Sequence, residues 1–251
     1  MRVAIITDTH FGARNDNQNF SEYFFKFYEE HFFPYLKENN ITHCLHLGDI
    51  MDRRKFVSYR TAKNFRERFI KPFSDLGIQL HILVGNHDTY FKNTNEVNSI
   101  TELIGTRYDN VHIYPEAKEI ELDGLPVMLV PWINASNHAK TMSAMDKSKA
   151  DILMGHLEVQ GFEMNKGVRC ENGYAKDLFR KFDTVFSGHF HIKSDDGHIY
   201  YLGNPYEIYW NDCGDKKGFH IFDTETRQLD RIVNPLTIYK KIYYDDITTN
   251  Y

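Results

Sequence analysis

The sequence predicts an α/β chain in which two sheets pack face to face with helices outside. Three observations predict it. Short apolar runs alternate with long helical periodicities in the first part of the chain. Short strands separated by turn residues dominate the rest. Five of the apolar runs stop at a glycine or at a side chain that handles metal or protons, as strands do when their carboxyl ends carry a site.

Composition supports a folded chain. Of 251 residues, 41% are hydrophobic and 26% charged, enough for a sizeable core in one domain or two small ones. No apolar run approaches the ~20 residues of a membrane span. Met1-Arg2-Val3-Ala4-Ile5-Ile6 is too short for a signal peptide and reads as the first core strand. Cys44, Cys170 and Cys213 are odd in number and form no CxxC, so a reducing, cytoplasmic setting is expected. The net charge of −5 argues against a basic DNA-coating protein. It is compatible with a nuclease whose metal ions supply positive charge.

The elements follow in order. Val3–Thr7 is a buried strand ending at Asp8-Thr9-His10, and Gly12–Asn19 a polar loop. Phe20–Asn39 has helical spacing, with Phe20, Tyr23, Phe24 and Phe27 on one face and Phe25, Phe32 and Phe33 widening it, so burial on two sides is expected. Pro34 is expected to kink or end this helix. Thr42–Leu47 is the second strand, ending at Gly48-Asp49. Ser58 reads as the N-cap of a helix with Phe65, Phe69, Phe73 and Leu76 as its stripe and Gly77 as its stop. Gln79–Val84 is the third strand, ending at Gly85-Asn86-His87-Asp88. Asn93–Asn98 is a loop, followed by a short helix to about Tyr108. Val111–Tyr114, Glu119–Leu122 and Val127–Val130 are strands, and Lys140–Lys149 a short polar helix or loop. Asp151–Met154 ends at Gly155-His156, and Thr184–Ser187 at Gly188-His189-Phe190-His191. His198–Leu202, Lys217–Asp223 and Gln228–Val233 complete the strands.

The strand ends carry the chemistry. Asp8, His10, Asp49, Asn86, His156, His189 and His191 are seven carboxylate, amide and imidazole donors, suited to borderline divalent metals. No thiol is among them, which disfavours a structural zinc. Glycines 48, 85, 155 and 188 are expected to allow tight turns there. One ion cannot use seven ligands and keep a position open, whereas two ions sharing a carboxylate can. Two-metal sites hold ions ~3.5–4 Å apart and clamp the oxygens of a phosphoryl displacement. Singly, a strand-end Asp is usually a turn residue and a lone His a satisfied core or surface group. His31, His43, His46, His81, His112, His138, His198 and His220 stay in that class. It is the coincidence across all five strand ends that points to a site.

The order DxH, GDxxD, GNHD, GH, GHxH, here Asp8-Thr9-His10, Gly48-Asp49-Ile50-Met51-Asp52, Gly85-Asn86-His87-Asp88, Gly155-His156 and Gly188-His189-Phe190-His191, resembles the calcineurin-like metallophosphoesterase superfamily. Within it the chain looks most like SbcD-type DNA-repair nucleases, and among these the nuclease subunits of T-even-phage recombination endonucleases. Leu129-Val130-Pro131-Trp132, Tyr201-Leu202-Gly203-Asn204-Pro205 and Lys217 to Thr226 support that branch. The resemblance implies a four-layer metallophosphoesterase fold, a two-sheet sandwich flanked by helices, as a single domain over residues 1–251. It implies one metal held by Asp8, His10, Asp49 and His191, and another by Asp49, Asn86, His156 and His189. The cofactor it implies is a pair of divalent ions, manganese first, with magnesium, iron or zinc as alternatives. His87 would face the scissile phosphate and protonate the leaving oxygen after attack by a metal-bridging hydroxide, with Asp52 orienting His87. Some relatives carry a histidine near position 52 for processing DNA ends. This chain has Asp52, so that detail is not carried over.

Arg53 stands where the phosphatase branch has a phosphate-contacting arginine. Arg53, Arg54, Lys55 and Arg60 are also placed to follow a DNA backbone, Lys55 and Arg60 reading more simply as helix-leading charges. The expected function is DNA hydrolysis, as exo- and/or endonuclease, in recombination and double-strand-break repair. A phosphatase or small-molecule phosphodiesterase, and a non-catalytic scaffold on the same fold, are the alternatives. Expected partners are DNA, an SbcC-type ATPase in the full-length protein, and a second copy of the chain, with no membrane. The capping and ATPase-docking segments of such nucleases are expected to be absent from this chain.

Overall fold

β1 (Arg2–Ile6) shows how the layers are specified. Val3 and Ile5 turn to one face, Ala4 and Ile6 to the other, and all four are buried. Val3 and Ile5 join Leu45, Leu83, Leu129, Met154 and Phe186 in a core between two sheets. Ala4 and Ile6 join a second core with Phe24, Phe27, Phe69 and Phe73 from the helices. A strand buried on both faces needs this near-continuous apolar run. The computed structural model describes residues 1–243. Residues 244–251, part of the domain expected over 1–251, lie outside the described residues.

The remaining strands are β2 (His43–His46), β3 (Gln79–Leu83), β4 (Val111–Tyr114), β5 (Lys118–Leu122), β6 (Leu125–Val130), β7 (Ile152–His156), β8 (Glu163–Asn165), β9 (Val168–Arg169), β10 (Thr184–Gly188), β11 (Ser194–Asp195), β12 (Ile199–Tyr201), β13 (Gly218–Asp223) and β14 (Leu229–Val233). The first sheet has the order β14-β13-β1-β2-β3-β4, with β1 to β4 parallel and β13 antiparallel to β1. The second has the order β11-β12-β10-β7-β6-β5, parallel from β12 to β6. A third core, with Leu153, Phe179, Phe182 and Val185, lies on the outer face of the second sheet. The expected two-sheet sandwich flanked by helices is the architecture observed.

Two long helices cover most of the outer face of the first sheet. α1 runs over residues 18–38 and α2 over residues 59–75, each as α-helix, π turn and α-helix. Pro34, expected to kink or end the helix, does not end it: a π turn precedes it and α1 continues to Glu38. A proline lacks its N–H and crowds the carbonyl four residues back. Here the chain widens to five-residue spacing just before it, with the Phe33 N–H reaching the Tyr28 carbonyl. α2 repeats the device, Lys71 N–H reaching Arg66 ahead of Pro72. As the widened stripe predicts, Phe24, Phe25, Phe27, Tyr28, Phe32 and Phe33 are all buried. Ser58 caps α2 by accepting from Thr61 N–H. Gly77 ends it at φ 68°, a conformation that favours glycine.

α3 (Ser99–Ile104) and α4 (His138–Lys147) are the two shorter helices, α4 beginning ahead of the expected Lys140. The β8–β9 hairpin and β11 were not expected, being too short for an alternating pattern to register. On the inner face of the first sheet, away from the strand ends, His43, His81 and His112 stack across β2, β3 and β4, with ring centroids 6.0 Å and 4.9 Å apart. No helix among the described residues is long and apolar enough to cross a membrane.

Candidate metal centre

The carboxyl ends of β1, β2 and β3 meet those of β7 and β10, so both sheets contribute to one place. The backbone there is unusual. Asp8 (φ 53°), His10 (44°), Asp49 (55°) and His189 (88°) are all left-handed, a region that disfavours side chains by roughly 1–2 kcal/mol per residue. Four such residues at one site mark a geometry held by its surroundings. Of the four glycines expected to turn the chain, only Gly48 has positive φ, at 98°. Gly85 and Gly188 serve close approach instead. A Cβ on Gly85 would meet Asp49 N at 2.2 Å, and one on Gly188 would meet Thr7 Oγ1 at 2.0 Å.

All seven expected donors come together, in two clusters. Asp8, His10 and His191 offer ligand atoms within 4.8 Å of one another, and so do Asp49, His156 and His189. His10 Nε2 and His191 Nε2 are 3.0 Å apart. Asn86 Oδ1 lies 3.0 Å from His156 Nε2, adding it to the second cluster. Asp49 faces both: Oδ1 is 3.4 Å from His156 Nε2 and Oδ2 is 3.9 Å from His10 Nε2. His156 donates from Nδ1 to the Leu47 carbonyl at 2.8 Å, which leaves Nε2 its lone pair for a ligand.

The electrostatics suit cations. Burial holds His10 well below its ordinary value, takes His189 down to about 3, and lowers His191, so these rings are neutral, the form that binds metal. For Asp49, burial opposes ionisation, but the imidazoles of His156, His87 and His10 hold it well below the usual carboxylate range. Burial also opposes charge on His156, yet the Asp49 charge and hydrogen bond carry it up to about 9. Metal binding at that nitrogen would release the proton. Nδ1 of His10 and of His189 are buried without a hydrogen-bond partner among the described residues. The neutral imidazoles of His10, His189 and His191, converging with the ionised Asp49 carboxylate, fit divalent ions.

His87 stands beside the first cluster, its ring 4.9 Å from that of His10. Its N–H donates to Asp49 Oδ1 at 2.7 Å. The contact expected from the Asp52 carboxylate is made instead by the Asp52 backbone carbonyl, 2.6 Å from His87 Nδ1. The carboxylate lies 3.7 Å from His10 Nδ1. Asp88 is a brace, accepting from Met51 N–H and Gly85 N–H, both at 2.9 Å, with burial and then the Asp49 charge pushing it up to about 7. Arg53 pairs with Asp16 at 3.1 Å, and Arg54 donates to Thr89 Oγ1 at 3.0 Å, so both hold the rim loops together.

Several supporting residues escaped the sequence reading. Thr7 Oγ1 donates to Asp8 Oδ2 at 2.6 Å. His46, set aside as a core histidine, accepts from Gly48 N–H through Nδ1 and meets Thr9 Oγ1 at 3.0 Å through Nε2. Trp132 packs its ring 5.2 Å from that of His189. Lys217 is buried and donates to the His191 carbonyl at 3.0 Å and to Asp212 at 2.7 Å. A lysine opening an otherwise apolar strand was the available signal. The expected loop Gly12–Asn19 contains a coil over Ala13–Asp16 in which Arg14, Asn15 and Asp16 are all left-handed, at φ 58°, 59° and 56°. The Asp16 carboxylate holds it by accepting from Arg53, Ser58 at 2.9 Å, and Thr61, while Arg60 donates to the Asp16 carbonyl at 2.7 Å.

Comparison with known proteins adds to this geometry. The sequence model of the family described as calcineurin-like phosphoesterase matches residues 1–193. The chain is 36% identical over 210 residues to exonuclease subunit 1 of Enterobacteria phage T4, covering 84% of this chain and 61% of that protein. It is 26% identical over 187 residues to the SbcD subunit of the SbcCD nuclease of Staphylococcus epidermidis, covering 62% of this chain and 48% of that protein. The chain thus spans about half to three-fifths of the length of these two relatives. A solved structure of GAP50, described as the anchor in the inner membrane complex of Plasmodium, superposes with a TM-score of 0.53 at 11% identity, covering 94% of this chain and 90% of that one. At that identity the likeness concerns the fold alone.

Proposed function

The chain belongs to the calcineurin-like phosphoesterase family, and from that premise we propose that it is a two-metal phosphodiesterase that hydrolyses DNA, as exo- and/or endonuclease, in recombination and double-strand-break repair. One observation carries the reading: two donor clusters share Asp49, with His87 at their edge. Two relatives named as nuclease subunits support DNA as substrate. Asp8, His10, Asp49 and His191 would hold one divalent ion, and Asp49, Asn86, His156 and His189 the other, manganese being the proposed metal. Bound there, the ions would supply the positive charge that activates water and offsets charge on the phosphate.

The chain's own groups do the rest. His87 donates from Nδ1 to a carbonyl, so in the imidazolium form Nε2 carries the second proton, the one it would pass to the leaving oxygen. Asp49 fixes the His87 backbone. Arg53 and Arg54 would meet the DNA backbone at the rim. A partner ATPase of the SbcC kind, a second copy of the chain and a cytoplasmic place of action belong to the same proposal.

Linear double-stranded, hairpin and single-stranded DNA should be compared under manganese and magnesium, with Asp49→Ala as control. Degradation of any of them by the parent protein and not by the variant is the expected result. Cleavage of an aryl phosphodiester without any DNA degradation would move the reading to a small-molecule phosphodiesterase or phosphatase. Absence of manganese binding by calorimetry would leave a scaffold.

A further inference from the structure

Beside Asp52 a cavity of about 400 Å³ opens between the coil after β1 and the segment after β12, lined by Arg14, Asn15, Asn17, Phe20, Asp52 and Tyr209. Its volume suits one small organic group. Asp52 forms the wall nearest the metal centre, 3.7 Å from His10. Tyr209 forms another wall and lies nearly parallel to the His191 ring, at 10° with centroids 6.3 Å apart. Its exposed ring is therefore a flat platform continuing the line of the metal ligands.

Arg14 is the unusual member. Its guanidinium lies 5.4 Å from the Phe20 ring centroid and 6.0 Å from that of Tyr209. It makes no ion pair or side-chain hydrogen bond among the described residues, and the Asn15 amide likewise makes no hydrogen bond among them. Both residues are left-handed, in a coil held by Asp16 and its four donors. The platform is held as firmly. Asp212 accepts from Tyr209 N–H at 2.8 Å and from the buried Lys217 at 2.7 Å, and Lys217 also binds the His191 carbonyl. Two braces thus converge on one cavity and present a free planar cation, a free amide and a flat aromatic ring.

We propose that this cavity is a nucleoside subsite, which rests on the phosphodiesterase reading above. The base of the nucleotide next to the scissile phosphate stacks on Tyr209, the Asn15 amide meets its edge, and Arg14 pairs with the adjoining phosphate. Aromatic stacking accepts any base, and it requires the base to leave its duplex partner. The substrate class is accordingly a single strand or a frayed end.

The test compares kcat/KM of the manganese-loaded protein for thymidine 3′- and 5′-(p-nitrophenyl phosphate) with that for bis(p-nitrophenyl) phosphate. The parent protein should prefer one nucleoside ester. Tyr209→Ala should cut that preference about tenfold, the loss expected for one stacked base, and Tyr209→Phe should restore it. Arg14→Gln, at an exposed side chain, should raise KM for a thymidine dinucleotide and serves if Tyr209→Ala fails to fold. Independently of catalysis, saturation transfer in chelator from the protein to the base protons of thymidine 5′-monophosphate should be seen and be lost in Tyr209→Ala. An unchanged preference in Tyr209→Ala, or no preference in the parent protein, overturns the subsite while the phosphodiesterase reading stands. Hydrolysis of none of the esters defeats that reading, and saturation transfer then decides the subsite alone.

Discussion

His87 Nδ1 lies 2.6 Å from the backbone carbonyl oxygen of Asp52. A carbonyl can only accept, so Nδ1 holds a proton in either charge state, and the ring is oriented by main chain rather than side chain, with Nε2 left for the proton it would give up. No substitution at position 52 deletes that oxygen. The Asp52 carboxylate is free to act elsewhere, beside His10.

His87→Ala should therefore leave two manganese ions bound, as counted by titration calorimetry, while lowering kcat on a phosphodiester by about 10²–10⁴-fold, the usual worth of a positioned acid. Asp52→Asn should lose less, because the carbonyl contact survives. Full activity of His87→Ala on DNA would end its proposed role.

Asp49→Ala should remove both tight manganese sites together. Its two oxygens face different clusters, 3.4 Å from His156 and 3.9 Å from His10. Calorimetry that finds one site intact would show that the clusters are independent. An Asn86→Ala control should affect only the cluster that contains His156.

Gly188→Ala tests close approach. The new Cβ would sit 2.0 Å from Thr7 Oγ1, 2.9 Å from Asp8 Oδ2 and 3.0 Å from the Leu47 carbonyl. Overpacking of this kind destabilises by about 1–3 kcal/mol. Urea unfolding should show that loss, and manganese affinity at the Asp8 cluster should fall with it. Unchanged stability and affinity would mean that Thr7 and Asp8 move aside freely.

His81 predicts an acid-sensitive fold. Burial, then the charges of His112 and His43, depress it from 6.5 to about 4. As pH falls below 6.5 the unfolded chain takes a proton that the folded chain refuses, so stability drops until about pH 4, by roughly 3 kcal/mol from this group. Above 6.5 both states are neutral and the group contributes no slope. Urea unfolding at pH 7.5, 6 and 5 should show the decline, and His81→Gln should flatten it. Equal slopes in the two proteins would refute the assignment.

The two-sheet architecture was legible because strands buried on both faces, such as β1, leave unbroken apolar runs, and their ends stand out against them. That the seven donors lie together was legible for the same reason: each closes its strand or follows it within a few residues. The coil at Arg14 was not. Non-glycine residues take a left-handed path there only because Asp16 is gripped by Arg53, Ser58 and Thr61, more than thirty residues away in sequence. Gly12 followed by Asn15 and Asp16, residue types that tolerate this conformation, was the faint local signal. At Pro34 the sequence left open whether the helix bends or ends, because a proline's missing N–H does not say whether the turn before it widens. The role expected of the Asp52 side chain went to its main chain, which a residue type does not announce.

The place of β13 between β1 and β14 has a consequence for biosynthesis. β1 finds β2 soon after it emerges from the ribosome, but its other edge pairs with Gly218–Asp223, more than two hundred residues further along the chain. The whole second sheet is synthesised in between. Through that interval Arg-Val-Ala-Ile-Ile offers an open, apolar strand edge, the kind that recruits other nascent chains. Yield in a cell should thus depend on how quickly translation reaches the β13–β14 hairpin, and a pause placed before residue 218 should send more chain into inclusion bodies than the same pause placed after residue 233.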